Sequence, residues 1–276
     1  MDEGYWAAGT ARPAPLPDLA PSPRRSRPGA LVGALLLVLL VVVVTGVRTV
    51  QEASAVGQVV AVPGPAPAAD GWGPTYVDEQ GRPARWDPCR PIAYVVQAGW
   101  IPDAGRADLT EALRRLSEAS GLAFVDEGDT DEMPSGGRAA YQPDRSGERW
   151  APLLVGWVPP ELTDLGLGGG VQGVATAVAV AGRDGASLVT GQVVLDAANR
   201  LSPGFGPGTT DGEVLLHELA HAVGLGHVLD PTQVMYPQTT SSESVFGAGD
   251  RAGLAALGAP AGCLAPPAPR VLNLGP

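Results

Sequence analysis

The sequence predicts an α+β domain in the part of the chain after about residue 75, and three observations predict it. Between residues 91 and 197, five short apolar segments are separated by Gly-rich turns, as strands are. One stretch with helical spacing interrupts them early, and two more follow the last of them. Most of the sheet therefore precedes the final two helices, which is the order of an α+β domain rather than of alternating β and α units.

The elements follow in turn. "PIAYVVQAG" (91–99) reads as a strand led in by Cys89 and two prolines. In "ADLTEALRRLSEASGLAF", Leu109, Ala112, Leu113 and Leu116 repeat at helical spacing, and Gly121 stops the helix. "LAFV" (122–125) starts a second strand, and the acidic run Asp126 to Glu132 reads as a loop. "PLLVGWV", "VQGVATAVAV" and "GQVVLDA" supply three more strands. "TDGEVLLHELAHAVG" has the apolar spacing of a helix ending at Gly224, and "GAGDRAGLAALGA" makes a short last helix.

The first quarter of the chain is different. Residues 1–29, rich in Pro, Ala and Arg, read as a disordered tail. Residues 30–47, "ALVGALLLVLLVVVVTGV", carry no charge and have about the length that crosses a bilayer as a helix. Arg24, Arg25 and Arg27 precede this run and only Arg48 follows closely, so the tail is expected in the cytoplasm and residues 48–276 outside. The alternative is a secretory signal peptide cleaved after "ASA" at Ala55. The apolar core is longer than the roughly 7 to 15 residues usual for such peptides and stands far from the N-terminus, which favours a retained single-pass anchor. Residues 48–74, with "VPGPAPAADGWGP", read as an extended stalk before a domain spanning 75–276.

Charge and cysteine usage narrow the function. The formal net charge is −11 and no lysine occurs, which excludes a nucleic-acid partner, because phosphate binding needs a basic face. Cys89 and Cys263 are the only cysteines, and outside the membrane such a pair reads as one disulfide.

All three histidines of the chain fall in "HELAHAVGLGH", at His217, His221 and His227. On a helix, positions i and i+4 share one face, so His217 and His221 can both reach one zinc ion. Glu218 lies one residue round, beside the metal without being forced to bind it, where a base acting on water belongs. Gly224 tolerates the left-handed backbone that ends a helix and lets His227 return as a third ligand. Three protein ligands leave a fourth position open, the pattern of catalytic rather than structural zinc.

This motif, followed by "VMYP" at 234–237, resembles the metzincin zinc peptidases with their H-E-x-x-H-x-x-G-x-x-H and downstream Met-turn. The short gap from His227 to Met235 and the "MYP" ending are most similar to the matrixin branch. The resemblance implies zinc on His217, His221 and His227, Glu218 as general base and Met235 as an apolar floor beneath the metal. It also implies a metzincin catalytic domain with a mixed twisted sheet, an active-site helix and a small C-terminal subdomain, in which "VQGVATAVAV" would be the edge strand that pairs with an extended peptide substrate.

The sequence departs from the matrixin pattern in places. Matrixins carry a tyrosine two residues after the proline of "MYP", where this chain has Thr239. "DPCRPI" around Cys89 is faintly similar to the propeptide cysteine switch, but it sits directly before a strand, so a Cys89–Cys263 disulfide is the favoured reading. Some relatives bind structural calcium, yet the spacing of Asp126 to Glu132 matches no calcium loop. The expected activity is a zinc endopeptidase. A zinc-stabilised, non-catalytic cell-surface binding module and an envelope amide hydrolase are the competing readings.

Overall fold

The computed structural model describes residues 62–63, 71–238 and 244–269. The tail (1–29), the apolar run (30–47), most of the stalk and Thr239 lie outside the described residues. Among the described residues no helix is long and apolar enough to cross a membrane.

The framework is a five-stranded mixed sheet in the order β5-β4-β6-β8-β7. Its strands are β4 (Ile92–Gln97), β5 (Phe124–Thr130), β6 (Leu153–Val158), β7 (Gly173–Ala181) and β8 (Ala186–Asp196). β5, β4, β6 and β8 run parallel, and β7 pairs antiparallel with β8 at one edge. Three shorter strands, β1 (Val62–Pro63), β2 (Trp72–Pro74) and β9 (Leu225–Val228), complete the set with β3 (Tyr76–Val77). β1 pairs with β3, and β2 with β9. Trp72–Pro74 thus pairs with the segment that carries His227, although these residues fall in the stretch with stalk-like composition.

Helix α1 (Gly105–Ser120) connects β4 to β5, as a parallel pair requires. Its Leu109, Ala112, Leu113 and Leu116 are buried, and Gly121 caps it in the left-handed conformation at φ 71°. Helix α2 (Asp211–Ala222) is buried on every side: of its residues only His221 is not fully buried. It packs on α1, β7 and β8, although five of its twelve residues are ionisable. Thr210 caps it in an extended conformation, its Oγ1 accepting from the Glu213 N–H at 3.2 Å. At the other end the Trp86 Nε1–H satisfies the orphan carbonyl of Ala222 at 2.9 Å. Helix α3 (Ala248–Leu257) closes the domain beside β2 and β9.

The acidic run is not the loop that its composition suggests. Asp126 to Thr130 continue β5, an edge strand almost wholly exposed, paired with β4 through Ala93–Val125 and Tyr94–Asp126. Alternation gives no signal there because the strand has no second apolar face to bury. Arginines from elsewhere balance the charge: Arg149 pairs with Glu127, Arg106 with Asp129 and Arg145 with Asp131. A register shift opposite Tyr94–Val96, with Gly128 at φ 90°, interrupts the ladder. Charges and a bulge are both devices that keep a free sheet edge from pairing.

Cys89, just before β4, is bonded to Cys263, just after α3, with 5.4 Å between Cα atoms and 174 residues between them in sequence. Neighbouring contacts close the same seam. The Asp87 carboxylate accepts from the N–H groups of Cys89 and Leu264, both at 3.1 Å. Arg85 donates to the carbonyls of Gly262 and Ala261 at 2.7 and 3.1 Å. A cross-link closing so long a loop constrains the unfolded chain strongly. The double variant Cys89→Ser, Cys263→Ser is expected to fold with its stability lowered by about 2–4 kcal/mol in urea unfolding. An unchanged midpoint would show that the Asp87 and Arg85 contacts close the seam unaided.

Candidate metal centre

The residues around the three histidines leave little freedom to their rings. His217 and His221 stand one above the other on α2, with ring centroids 4.6 Å apart. The Nδ1 of His217 lies 2.7 Å from the carbonyl oxygen of Val234, and that of His221 2.7 Å from the carbonyl oxygen of Leu225. A carbonyl only accepts, so each Nδ1 must carry the proton and each Nε2 presents a lone pair.

Gly224, at φ 102°, turns the chain out of α2. A Cβ at this position would stand 2.9 Å from the carbonyl oxygen of Ala84, so no other residue fits both the turn and the approach. β9 then carries His227 back, and its Nε2 lies 3.1 Å from that of His221. Two nitrogens at about 2.0–2.1 Å from a tetrahedral zinc would be ~3.3 Å apart. One donor atom from each histidine falls within 4.8 Å of the others. Three neutral imidazoles so gathered fit zinc, and two lone pairs at such separation need a cation or a proton between them.

Burial keeps the rings neutral. It holds His217 down at about 4, with His227 adding to the depression. It holds His221 at about 3, reinforced by His217 and His227, and it lowers His227 as well. Neutral imidazole is the metal-binding form.

Glu218 faces the edge strand β7. Burial pushes its carboxyl up to about 7, opposed by a hydrogen bond from the backbone N–H of Ala175. β7 passes so close that a Cβ on Gly173 would meet the Cγ of Glu218 at 2.7 Å and Val214 Cγ1 at 2.9 Å. A carboxyl poised near neutrality can both take and return a proton.

Met235 is wholly buried, and its carbonyl accepts from the Val228 N–H at 2.8 Å, tying the turn to β9. Sequence reasoning missed the group that organises this turn. Asp250, in the first turn of α3, has no exposed surface, and its carboxylate accepts from the N–H groups of Val234 (3.0 Å), Met235 (3.4 Å) and Gly247 (2.9 Å). Its own N–H donates to Gln233 Oε1 at 3.0 Å. Burial raises the Asp250 carboxyl and these three donors oppose the rise. Asp250 thereby holds the peptide whose carbonyl orients His217. Its only sequence signal is an acid early in a helix, which reads as an ordinary first-turn residue. Among the described residues the acidic stretch in β5 contributes no such cluster of metal donors.

Asp250→Asn keeps the size of the side chain and leaves a single acceptor oxygen for the three N–H donors. Changes in groups that orient metal ligands commonly weaken metal binding about 10- to 100-fold. A loss in that range is expected in competition with a chelator, with little loss of helix by circular dichroism. An unchanged zinc affinity would show that packing alone holds the turn.

Acidity gives a second prediction. In the unfolded chain the imidazoles titrate near 6.5, whereas in the folded chain His217 titrates near 4 and His221 near 3. Between those values the unfolded chain binds more protons, so the stability from these groups is lost as the pH falls. The metal-free protein is expected to lose thermal stability steadily from about pH 6.5 to pH 4. A flat profile over that window would contradict the burial of the rings.

Residues 168–257 match the family model of matrixin, a peptidase family. That stretch runs from the turn before β7 through β8, α2, β9 and the Met235 turn to the end of α3, and so contains all three histidines, Glu218 and Asp250. No curated protein matches the chain. The mixed five-stranded sheet and the buried α2 are consistent with a metzincin-like fold, and the matched stretch is similar to a matrixin domain.

Proposed function

We propose that the protein is a zinc-dependent endopeptidase that cleaves peptide bonds outside the membrane, with Glu218 as general base. The observation that carries this reading is the pairing of three convergent, neutral imidazoles with a buried carboxyl one residue round the same helix, raised to about 7. A binding module needs the histidines alone. It has no use for a carboxyl kept near neutrality against the edge strand β7.

His217, His221 and His227 would hold the zinc, which supplies a Lewis acid for the scissile carbonyl and for the attacking water. Glu218 takes the proton from that water as it attacks, and passes it to the nitrogen of the departing amine. Both steps suit one carboxyl whose affinity for protons is set near the working pH. The Ala175 N–H steadies the ionised form of Glu218 and keeps it in place against β7. β7 is the terminal strand of the sheet, and an extended peptide can add to it as a further strand, with its backbone drawn along the centre.

The location outside the membrane rests on the apolar run at 30–47, the arginines before it and the Cys89–Cys263 bond, which suits an oxidising compartment. Residues 48–61, ahead of β1, would then serve as a spacer between the bilayer and the catalytic domain.

The decisive experiment uses the full chain, zinc-loaded, on a quenched-fluorescence peptide library, with Glu218→Ala in parallel. The variant is expected to keep stoichiometric zinc and to lose turnover by about 10²–10⁴-fold. Cleavage by the variant at the native rate would remove Glu218 from the reaction. Zinc binding with no cleavage by the native chain would favour the binding-module reading.

A further inference from the structure

The three histidines are not held alike. His217 and His221 are each fixed by a hydrogen bond from Nδ1 to a backbone carbonyl oxygen at 2.7 Å. His227 has no such bond: among the described residues its ring makes one hydrogen-bond contact, between its Nε2 and that of His221 at 3.1 Å. It is also the most exposed of the three. A metal-binding imidazole whose second nitrogen has no protein partner keeps its place through the backbone that carries it.

That backbone is β9, a strand of four residues whose partner strand is β2. Trp72 stands opposite Val228, the neighbour of His227, and Pro74 opposite Leu225. The Thr75 N–H extends the pairing to the carbonyl of Gly224 at 2.7 Å. Between these points the two chains touch. A Cβ on Gly226, the residue before His227, would stand 2.8 Å from the carbonyl oxygen of Gly73. On the far edge of β9, the bond from the Val228 N–H to the Met235 carbonyl ties the strand to the turn.

β2 is itself anchored by Trp72. The indole and the Leu225 side chain lie against Gly253 of α3, where a Cβ would meet Leu225 Cδ1 and, at 2.9 Å, the Cδ2 and Cγ of the indole. The half-buried ring packs on the core, and its strand contacts both α3 and β9. The proposed mechanism does not use Trp72, and the surrounding "VPGPAPAADGWGP" has the composition of a spacer.

We propose that Trp72 is a positioning residue for the third metal ligand: by locking β2 onto β9 and α3, it sets where His227 meets the other two histidines. The segment that arrives from the stalk is then part of the metal centre, and metal affinity depends on a strand far from the histidines in sequence. The proposal rests on the reading of the histidines as zinc ligands and not on peptide cleavage, so metal affinity tests it directly.

The test is a double-mutant cycle on the full chain, with the zinc dissociation constant read in competition with a chelator. Trp72→Ala is expected to weaken zinc binding about tenfold or more, the range in which groups that orient metal ligands act. In a His227→Ala background no third ligand is left to position, and the same change is expected to cost less than about twofold. Cobalt(II) in place of zinc gives an independent signature. Its visible spectrum in Trp72→Ala moves toward that of His227→Ala, and Trp72→Phe, which keeps an aromatic ring against Gly253, restores it. Trp72→Leu runs the same cycle if the alanine leaves the chain unfolded. A loss of equal size with and without His227 would mean that β2 supports the fold as a whole, and would overturn the proposal. Unchanged affinity in Trp72→Ala would overturn it as well. A native chain that binds no zinc would sink the reading of the three histidines, and the proposal with it.

Discussion

Two backbone carbonyls, those of Val234 and Leu225, set the chemistry of this domain by accepting the Nδ1–H of His217 and His221. Everything that matters at the centre depends on where those oxygens sit. Leu225 O is placed by the left-handed turn at Gly224, which presses against the backbone of Ala84. Val234 O is placed by the buried carboxylate of Asp250, reaching from the next helix. The rings then cannot rotate away without giving up a hydrogen bond in a dry environment, at a cost of about 1–3 kcal/mol each. The same bonds choose the tautomer that exposes Nε2, so orientation and basicity are fixed by one contact per ring.

Such a centre requires a helix that is buried on all sides and yet carries ionisable groups. In α2 and its surroundings each buried acid has a different remedy. Asp211 lies under an indole N–H, Asp250 gathers backbone donors from two segments, and Glu218 is met by the strand β7. Glu213 is served on one oxygen only. Acids that only stabilise a fold are expected to be fully paired, because an unpaired buried oxygen costs stability.

The convergence of the candidate site was legible in the sequence because its geometry is local: His217, Glu218 and His221 are related by the helical repeat, and Gly224 by the turn it must make. The α+β order was legible too, since apolar runs of strand length differ from helical spacing. Asp250 was not, because its partners lie fifteen and sixteen residues before it and become neighbours only after α3 folds back. Nor was β5, where an acidic composition masks a strand stabilised from one side by β4 and along its surface by Arg106, Arg145 and Arg149. The close approach of Gly173 to Glu218 was equally hidden, for nothing in "VQGVATAVAV" distinguishes a glycine required by a neighbour from one that ends a turn.

The sheet has two edges, and they differ in what they can receive. β5 bears carboxylates and a bulge, and its ladder is broken where another chain would have to pair. β7 is built of small, uncharged residues, and one of its N–H groups already serves the carboxyl of Glu218. An extended peptide approaching this molecule therefore meets one edge that repels pairing and one that permits it. The permissive edge passes beside Glu218, the neighbour of His217 on α2. A peptide laid along β7 has its backbone fixed by the strand and its side chains free to be sorted by what lines α2. Backbone pairing is indifferent to sequence, so discrimination among peptides must come from side chains rather than from the strand.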